Sequence, residues 1–352
     1  MSDANHEQPA TTPEGRRRFR SRAIGCAKCL LILLLVAGFL GGAFALRHWR
    51  LSRRPVMVGP AVDWSVIGRA DERLFWGSKR NMRDVLVEGV FTETGGLQCY
   101  LHFRVSTNEH GLRCAPIGEK TGQYRILAVG DSTTFGHGVE DHETWPSQLQ
   151  TMLRNKGHAA EVINAGACGY SAYQGMRFLK DPGLSFKSDL VIITFGHNDM
   201  AVWDGISDIE RGEGKLALIE ERKALGDDEV KRHPRLNRQE YLDVLIAMND
   251  LCAAAGSAVI FLTWPTAGEY SPVIPRPLRS LLPYHAETIK AGKRTGSPVI
   301  DILPATKDED GILMDSVHFY PKGCRVVART IAAFLEEEGY LPPAGERSPQ
   351  SQ

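Results

Sequence analysis

The chain carries no net charge: 42 Lys and Arg balance 42 Asp and Glu over 352 residues. That excludes the global basic excess of a nucleic-acid binder and the acidic excess of a solvating tail. Cysteine is scarce, seven in all, which excludes a disulfide scaffold. The 35 Gly and 19 Pro follow no collagen-like or low-complexity period. No G-x-S-x-G elbow occurs, which argues against an α/β-hydrolase. The Gly-rich stretch from Gly130 to Gly138 lacks both the Lys of a P-loop and the G-x-G-x-x-G spacing, so it gives no ground for a nucleotide site. What is present is globular: 43% hydrophobic and 24% charged residues rule out wholesale disorder. The length suits one enzyme domain with appendages.

Residues 1–28 are polar and then basic, with Arg16, Arg17, Arg18, Arg20, Arg22 and Lys28. Residues 29–46 are uncharged and mostly aliphatic. As a helix that run is about 27 Å long, near the hydrocarbon thickness of a bilayer. Arg47, Arg50, Arg53 and Arg54 follow at once. The expectation is a single-pass signal-anchor helix over 29–46 behind a cytoplasmic tail, with the rest of the chain on the non-cytoplasmic side, in a periplasm or at a cell surface. Ala43-Phe44-Ala45 also fits a small-x-small cleavage site, so a removed signal peptide is the rival reading. The long basic stretch ahead of the run favours the anchor. Gly38 and Gly42 form a GxxxG pair, a spacing that is often accidental in apolar runs. Cys26 and Cys29 have CxxC spacing but no partner ligands, and receive no metal role. Beyond the helix lie Cys99, Cys114, Cys168, Cys252 and Cys324. Cys99 and Cys114 are a disulfide candidate in an oxidising compartment; buried free thiols are the alternative.

Residues 47–122 read as a linker and a small accessory region, with a strand at 97–105, a turn at 108–111 and no visible chemistry. From residue 123 to 340 short apolar runs alternate with amphipathic stretches. Strands are expected at 125–129, 161–164, 190–195, 258–263 and 298–302, and helices at 144–156, 171–181, 238–255, 278–292 and 321–338, with a flexible tail at 341–352. Continuously apolar, β-branched runs suit strands buried on both faces. Fivefold alternation of strand and helix predicts an α/β fold, a five-stranded parallel sheet with helices on both faces. Ligands of such sheets sit beyond the carboxyl ends of the strands.

Four polar sets fall at that edge. They are Gly130-Asp131-Ser132, Asn164 to Gly169, Gly196-His197-Asn198-Asp199, and Asp315 to His318. Their parts suit acyl transfer. A Ser hydroxyl needs a base to take its proton, and His318 can be that base for Ser132. The imidazole needs a carboxylate on its other nitrogen, and Asp315 lies three residues away. A developing oxyanion needs fixed donors: the Ser132 and Gly169 backbone N–H groups and the Asn198 amide are the candidates. Glycine at 169 lets the backbone approach a substrate closely.

With these residues in view, the chain resembles the SGNH, or GDSL, hydrolases. Ser132 stands in the GDS block, Gly169 in the N-x-G-x-x-G block, Asn198 in the G-x-N-D block, and Asp315 with His318 in the D-x-x-H block. All four occur in the family's order over residues 124–338. The resemblance implies a flavodoxin-like three-layer α/β/α fold with strand order 2-1-3-4-5, Ser132 as nucleophile, and no metal or organic cofactor. One departure is Thr134 where the family often has Leu. Residues 103–113 (FRVSTNEHGLR) are similar to the lead-in of exported bacterial members.

Other polar residues have plainer readings. Ser132 alone would be a helix N-cap. Asp131 and Asp199 are expected to bond nearby backbone N–H groups, and Gly166 to sit in a turn. A metal site at His137, His142 and Glu143 is weighed below plain loop polarity, and His197 is placed facing the pocket. The densely charged stretch 204–238 is a solvated face or a mobile flap. The expected function is a membrane-anchored serine esterase acting through an acyl-Ser132 intermediate on lipid acyl esters or on O-acyl groups of envelope glycans. The alternatives are an O-acyltransferase with a sugar hydroxyl as acceptor, and a catalytically idle binding module on a membrane stalk.

Overall fold

The computed structural model describes residues 60–92, 98–266 and 282–344. The chain divides into two units, Met1–Val56 and Met57–Gln352, and the described residues all belong to the second. The expected tail at 1–28 and membrane helix at 29–46 lie outside them, as does most of the tail at 341–352. Among the described residues no helix is long and apolar enough to cross a membrane.

Two antiparallel hairpins come first. β1 (Gly68–Asp71) pairs with β2 (Phe75–Ser78), and β3 (Val85–Thr92) with β4 (Gln98–Val105). Five parallel strands follow: β5 (Tyr124–Gly130), β6 (Ala160–Gly166), β7 (Leu190–Thr194), β8 (Ala258–Thr263) and β9 (Val299–Asp301). Their order across the sheet is β6-β5-β7-β8-β9, which is 2-1-3-4-5 counted within the sheet. Each apolar run feeds both faces. Leu127 and Val129 of β5 join a core with β7 and β8, while Ile126 and Ala128 face the opposite core. This is why the strands read as unbroken hydrophobic runs rather than alternating ones.

The helices divide between the faces. α1 (Ser132–Phe135) follows β5 directly. α2 (Trp145–Asn155) and α6 (Pro321–Glu337) cover one face, burying Leu149, Leu153, Val327, Ile331 and Leu335. α3 (Ala172–Lys180), α4 (Arg238–Ala254) and α5 (Leu282–Thr295) cover the other, burying Phe178, Leu179, Leu242, Leu245 and Ala291. Local chemistry fixes the starts. The Thr144 hydroxyl accepts from Ser147 N, Ser171 and Gln174 form a capping box, Asn237 and Glu240 form another, and Pro321 takes the first turn of α6. α5 runs to Thr295, past the expected 292, and Gly296 follows it at φ +78°.

Three expectations need correction. Gly166 is not in a turn. It ends β6, where a methyl group would collide with the Phe135 backbone nitrogen, so its missing side chain lets α1 lie directly on the sheet edge. Cys99 and Cys114 form no disulfide with each other. The accessory region is not a bystander. Ile67, Met82, Val87, Leu101, Phe103 and Val105 build a third core together with Phe135 of α1, and Cys168 and Met314 pack against it.

Arg113 shows what the 103–113 stretch does. Its buried guanidinium donates to the carbonyls of Phe135 (3.1 Å), Gly136 (2.6 Å), Val139 (2.7 Å) and Arg104 (2.8 Å), and pairs with Asp141 at 2.6 Å. One side chain thus ties β4 to the loop behind α1, with every donor satisfied in the interior. The 204–238 stretch is anchored rather than free. It contains the short helices Asp208–Gly212, Ala217–Ala224 and Asp227–Val230. At its end Arg235 is buried and pairs with buried Asp208 at 2.7 Å.

Candidate active site

The residues after β5, β6 and β7 and the loop before α6 converge at the carboxyl edge of the sheet. Asp131 caps α1: its carboxylate accepts from Thr133 N (2.9 Å) and Thr133 Oγ1 (2.8 Å). Capping is therefore done by Asp131, and the Ser132 hydroxyl is left for other work. Ser132 Oγ lies 2.8 Å from His318 Nε2, although 186 residues separate them. On the other side of the ring, His318 Nδ1 lies 2.6 Å from Asp315 Oδ2. Asp315 Oδ1 accepts from the backbone N–H of Val317 (2.9 Å) and of His318 (2.7 Å). Burial works against an ionised Asp315, but the imidazole and these N–H donors outweigh it and hold the carboxyl well below the ordinary carboxylate range. The arrangement can take a proton from a hydroxyl, hold it on an imidazole, and stabilise the resulting cation.

A cavity of about 490 Å³ opens at this edge, lined by Ser132, His318, Gly169, His197 and Asn198. Gly169 has φ +78°, a left-handed conformation natural to glycine. The Asn198 amide donates to Tyr170 O at 3.1 Å and makes a long contact of 3.4 Å with Asp131 Oδ2. Asp199 points away and ties loops together, accepting from Ala172 N and Gly196 N at 2.8 Å each. Burial pushes its pKa up to about 7 against those hydrogen bonds.

The far wall of the cavity comes from the accessory region: Trp64, Ile67, Trp76, Gly77, Phe91 and Thr92. No motif in the chain marks these residues. Trp64 and Ile67 lie at a 3-10 turn, Trp76 and Gly77 on β2, and Phe91 and Thr92 at the end of β3, and only the docking of these separate pieces brings them to Ser132. Cys168 also lines the cavity. Burial pushes its thiol up to about 12, so it stays protonated at neutral pH and does not compete as a nucleophile.

His137 lies beside His318, not with His142, which is exposed, or with Glu143, whose carboxylate accepts from Glu140 N. Its ring stacks on His318 with centroids 4.1 Å apart and 22° between planes. Trp64 and Phe91 cover it at 5.1 and 5.0 Å. Among the described residues, His137, Asp315 and His318 are the one cluster with metal-ligand spacing, their ligand atoms lying within 4.8 Å of one another. Stacked imidazoles aim their in-plane lone pairs side by side rather than at one point, so this set does not fit an ion.

Burial, then the neighbouring His318, holds the His137 pKa well below its ordinary 6.5. The folded protein thus refuses a proton that the unfolded chain accepts. Its contribution to stability is full above pH 6.5 and is lost as pH falls below it. His137→Phe keeps the aromatic stack and removes the titration. The drop in unfolding free energy from pH 7 to pH 5 should shrink by up to about 2 kcal/mol in that variant. Urea unfolding of both proteins at the two pH values measures it. An equal drop in both would show that His137 does not set the acid sensitivity.

Comparison with known proteins gives relatives that match over a short stretch. An arylesterase of Vibrio mimicus is 32% identical over 75 residues, 21% of this chain and 38% of that protein. Esterase TesA of Pseudomonas aeruginosa is 32% identical over 74 residues, 21% of this chain and 37% of that protein. The matched stretch is therefore little more than a third of either relative's length. Among solved structures, a lipase/acylhydrolase from Enterococcus faecalis is similar with a TM-score of 0.46 and 20% identity, covering 63% of this chain and 98% of that one. The family model described as the GDSL-like lipase/acylhydrolase family matches residues 128–326, more than half of the chain, and the chain belongs to that family.

Proposed function

We propose that the protein is a carboxylic ester hydrolase that works through an acyl-Ser132 intermediate. The observation that carries this reading is the unbroken line from Ser132 Oγ through His318 to Asp315, with hydrogen bonds of 2.8 and 2.6 Å. His318 Nε2 takes the hydroxyl proton as Ser132 Oγ bonds to the ester carbonyl carbon. The carbonyl oxygen becomes an oxyanion that accepts from Ser132 N–H, Gly169 N–H and the Asn198 amide, whose long 3.4 Å contact with Asp131 gives way to it. The imidazolium then gives its proton to the departing alkoxide, the carbon–oxygen bond breaks, and an alcohol leaves. Water attacks the acyl group with His318 again as base, which frees the acid and restores Ser132. Asp315 keeps the Nδ1 proton in place throughout and stabilises the imidazolium.

Membership of an acylhydrolase family and the esterase names of the two relatives support this reading. The proposed substrates are lipid acyl esters or short acyl groups on envelope glycans. The proposed location is the non-cytoplasmic face of a membrane, with residues 29–46 as anchor; the support is the apolar run between two basic flanks.

The test is hydrolysis of p-nitrophenyl esters from acetyl to palmitoyl by the full chain. Turnover is expected, and the preferred chain length separates short glycan acyl groups from lipid chains. No turnover on any ester, with a serine-reactive phosphonate still attaching, would replace hydrolysis by acyl transfer to an alcohol acceptor. No turnover and no attachment would leave the binding module.

A further inference from the structure

The oxyanion donor proposed at Gly169 belongs to the peptide unit that joins Cys168 to Gly169. The carbonyl at the other end of that unit, Cys168 O, accepts a hydrogen bond of 2.8 Å from the indole Nε1–H of Trp76, 92 residues away in β2. A peptide unit is planar, and its C=O and N–H point in opposite directions. A donor that fixes the carbonyl therefore fixes the direction of the Gly169 N–H as well. It also draws electron density toward the carbonyl oxygen, which makes the N–H a stronger donor.

Trp76 does more than reach one atom. Its ring lies over Gly169, where a methyl group would come within 3.3 Å of Cζ2. The ring is itself held in place. Tyr170 meets it edge-on at 6.0 Å, and the Tyr170 hydroxyl donates to Trp76 O at 2.6 Å. The Arg235 guanidinium lies 5.4 Å from its centroid on the way to donating to Gly169 O at 2.5 Å. Both carbonyls that flank the Gly169 α-carbon thus have a buried or half-buried donor. Gly169 sits in a left-handed conformation within a loop, where backbone direction is set by such ties rather than by a helix or a strand.

We propose that Trp76 is a positioning residue for the Gly169 oxyanion donor, so that the β1–β2 hairpin is a working part of the active site. The inference rests on the acyl-Ser132 reading above. Trp76 acts through the Cys168–Gly169 peptide, and the group responsible is the indole N–H rather than the bulk of the ring.

The experiment replaces that N–H and little else. In the full-length protein, Trp76 is exchanged for 3-benzothienylalanine, which has the same shape with sulfur in place of N–H, and separately by Trp76→Phe. Phosphonate titration of Ser132 fixes the fraction of correctly assembled sites, so a folding loss does not pass for a catalytic one. Per titrated site, kcat is expected to fall by about tenfold in both variants, less than the 10²–10³-fold seen when an oxyanion donor is deleted outright. Affinity for a trifluoromethyl ketone, which forms an oxyanion on Ser132, should fall by the same factor, while KM for the ester stays within about twofold. Unchanged kcat and ketone affinity in the isostere would overturn the proposal while leaving the esterase reading intact. A loss carried by KM alone would overturn it too, by making Trp76 a substrate wall. A wild type inert to esters and to phosphonate would overturn the acyl-Ser132 reading and this inference with it.

Discussion

Ser132→Ala is expected to leave the fold intact and to lower kcat by about 10⁴- to 10⁶-fold. The fold survives because Ser132 contributes no cap. Asp131 satisfies the start of α1, and the packing of α1 on the sheet depends on Phe135 and Gly166. The hydroxyl's one described side-chain partner is His318 Nε2, so its loss removes the nucleophile and leaves the imidazole aimed at nothing. No neighbour replaces it. Cys168 lines the same cavity, but burial keeps its thiol protonated. Initial rates on the preferred ester, beside a thermal unfolding curve, read both halves of the expectation. Retention of more than about one percent of the wild-type rate would point to a different nucleophile or to water attack without an acyl-enzyme.

Asp315→Asn is expected to cost about 10⁴-fold in kcat while KM changes little. The reason is the fixed direction of the carboxylate. Oδ1 accepts two backbone N–H groups, from Val317 and His318, so an asparagine places its amide oxygen there. The amide NH₂ is then directed at His318 Nδ1, which lies 2.6 Å from Oδ2 in the wild type. An N–H donor in that place forces Nδ1 to be the acceptor and puts the ring proton on Nε2, facing Ser132. A protonated Nε2 takes no proton from a hydroxyl. Rates measured against pH in both proteins decide the matter. A loss of less than about tenfold would mean that Asp315 does not set the tautomer of His318.

The parallel sheet was legible because both its faces are buried. Runs such as ILAV in β5 and LVIIT in β7 have no polar interruption, and the expected bounds differ from the observed ones by a residue or two at most of the ends. The convergence of the candidate site residues was legible because they sit at strand ends in chain order, where a parallel sheet must bring them to one edge. The opposite wall of the cavity was not. Trp64 lies in a 3-10 turn, Trp76 on a four-residue strand and Phe91 near the end of β3, and the three follow no common period. Their role comes from the tertiary docking of two hairpins, which no spacing in the chain encodes. The 204–238 stretch is solvated over 209–234, as its charges suggest, and departs from that reading at its ends. Its many charges are those of a solvated surface, yet Arg235 is buried because Asp208, Gln174 and the Gly169 carbonyl supply partners from separate parts of the chain. Gly166 was read as a turn because glycine ends many strands. Its use here, as room for Phe135, is visible only with α1 in place.

The decisive measurement is the mass of the peptide that carries Ser132 after incubation of the full chain with a fluorophosphonate. A single covalent adduct on Ser132 is predicted, formed rapidly by the wild type, slowly by Asp315→Asn and not at all by Ser132→Ala. An unmodified Ser132 in folded wild-type protein, or an adduct on another residue in its place, would contradict the assignment of Ser132, His318 and Asp315 as the catalytic machinery.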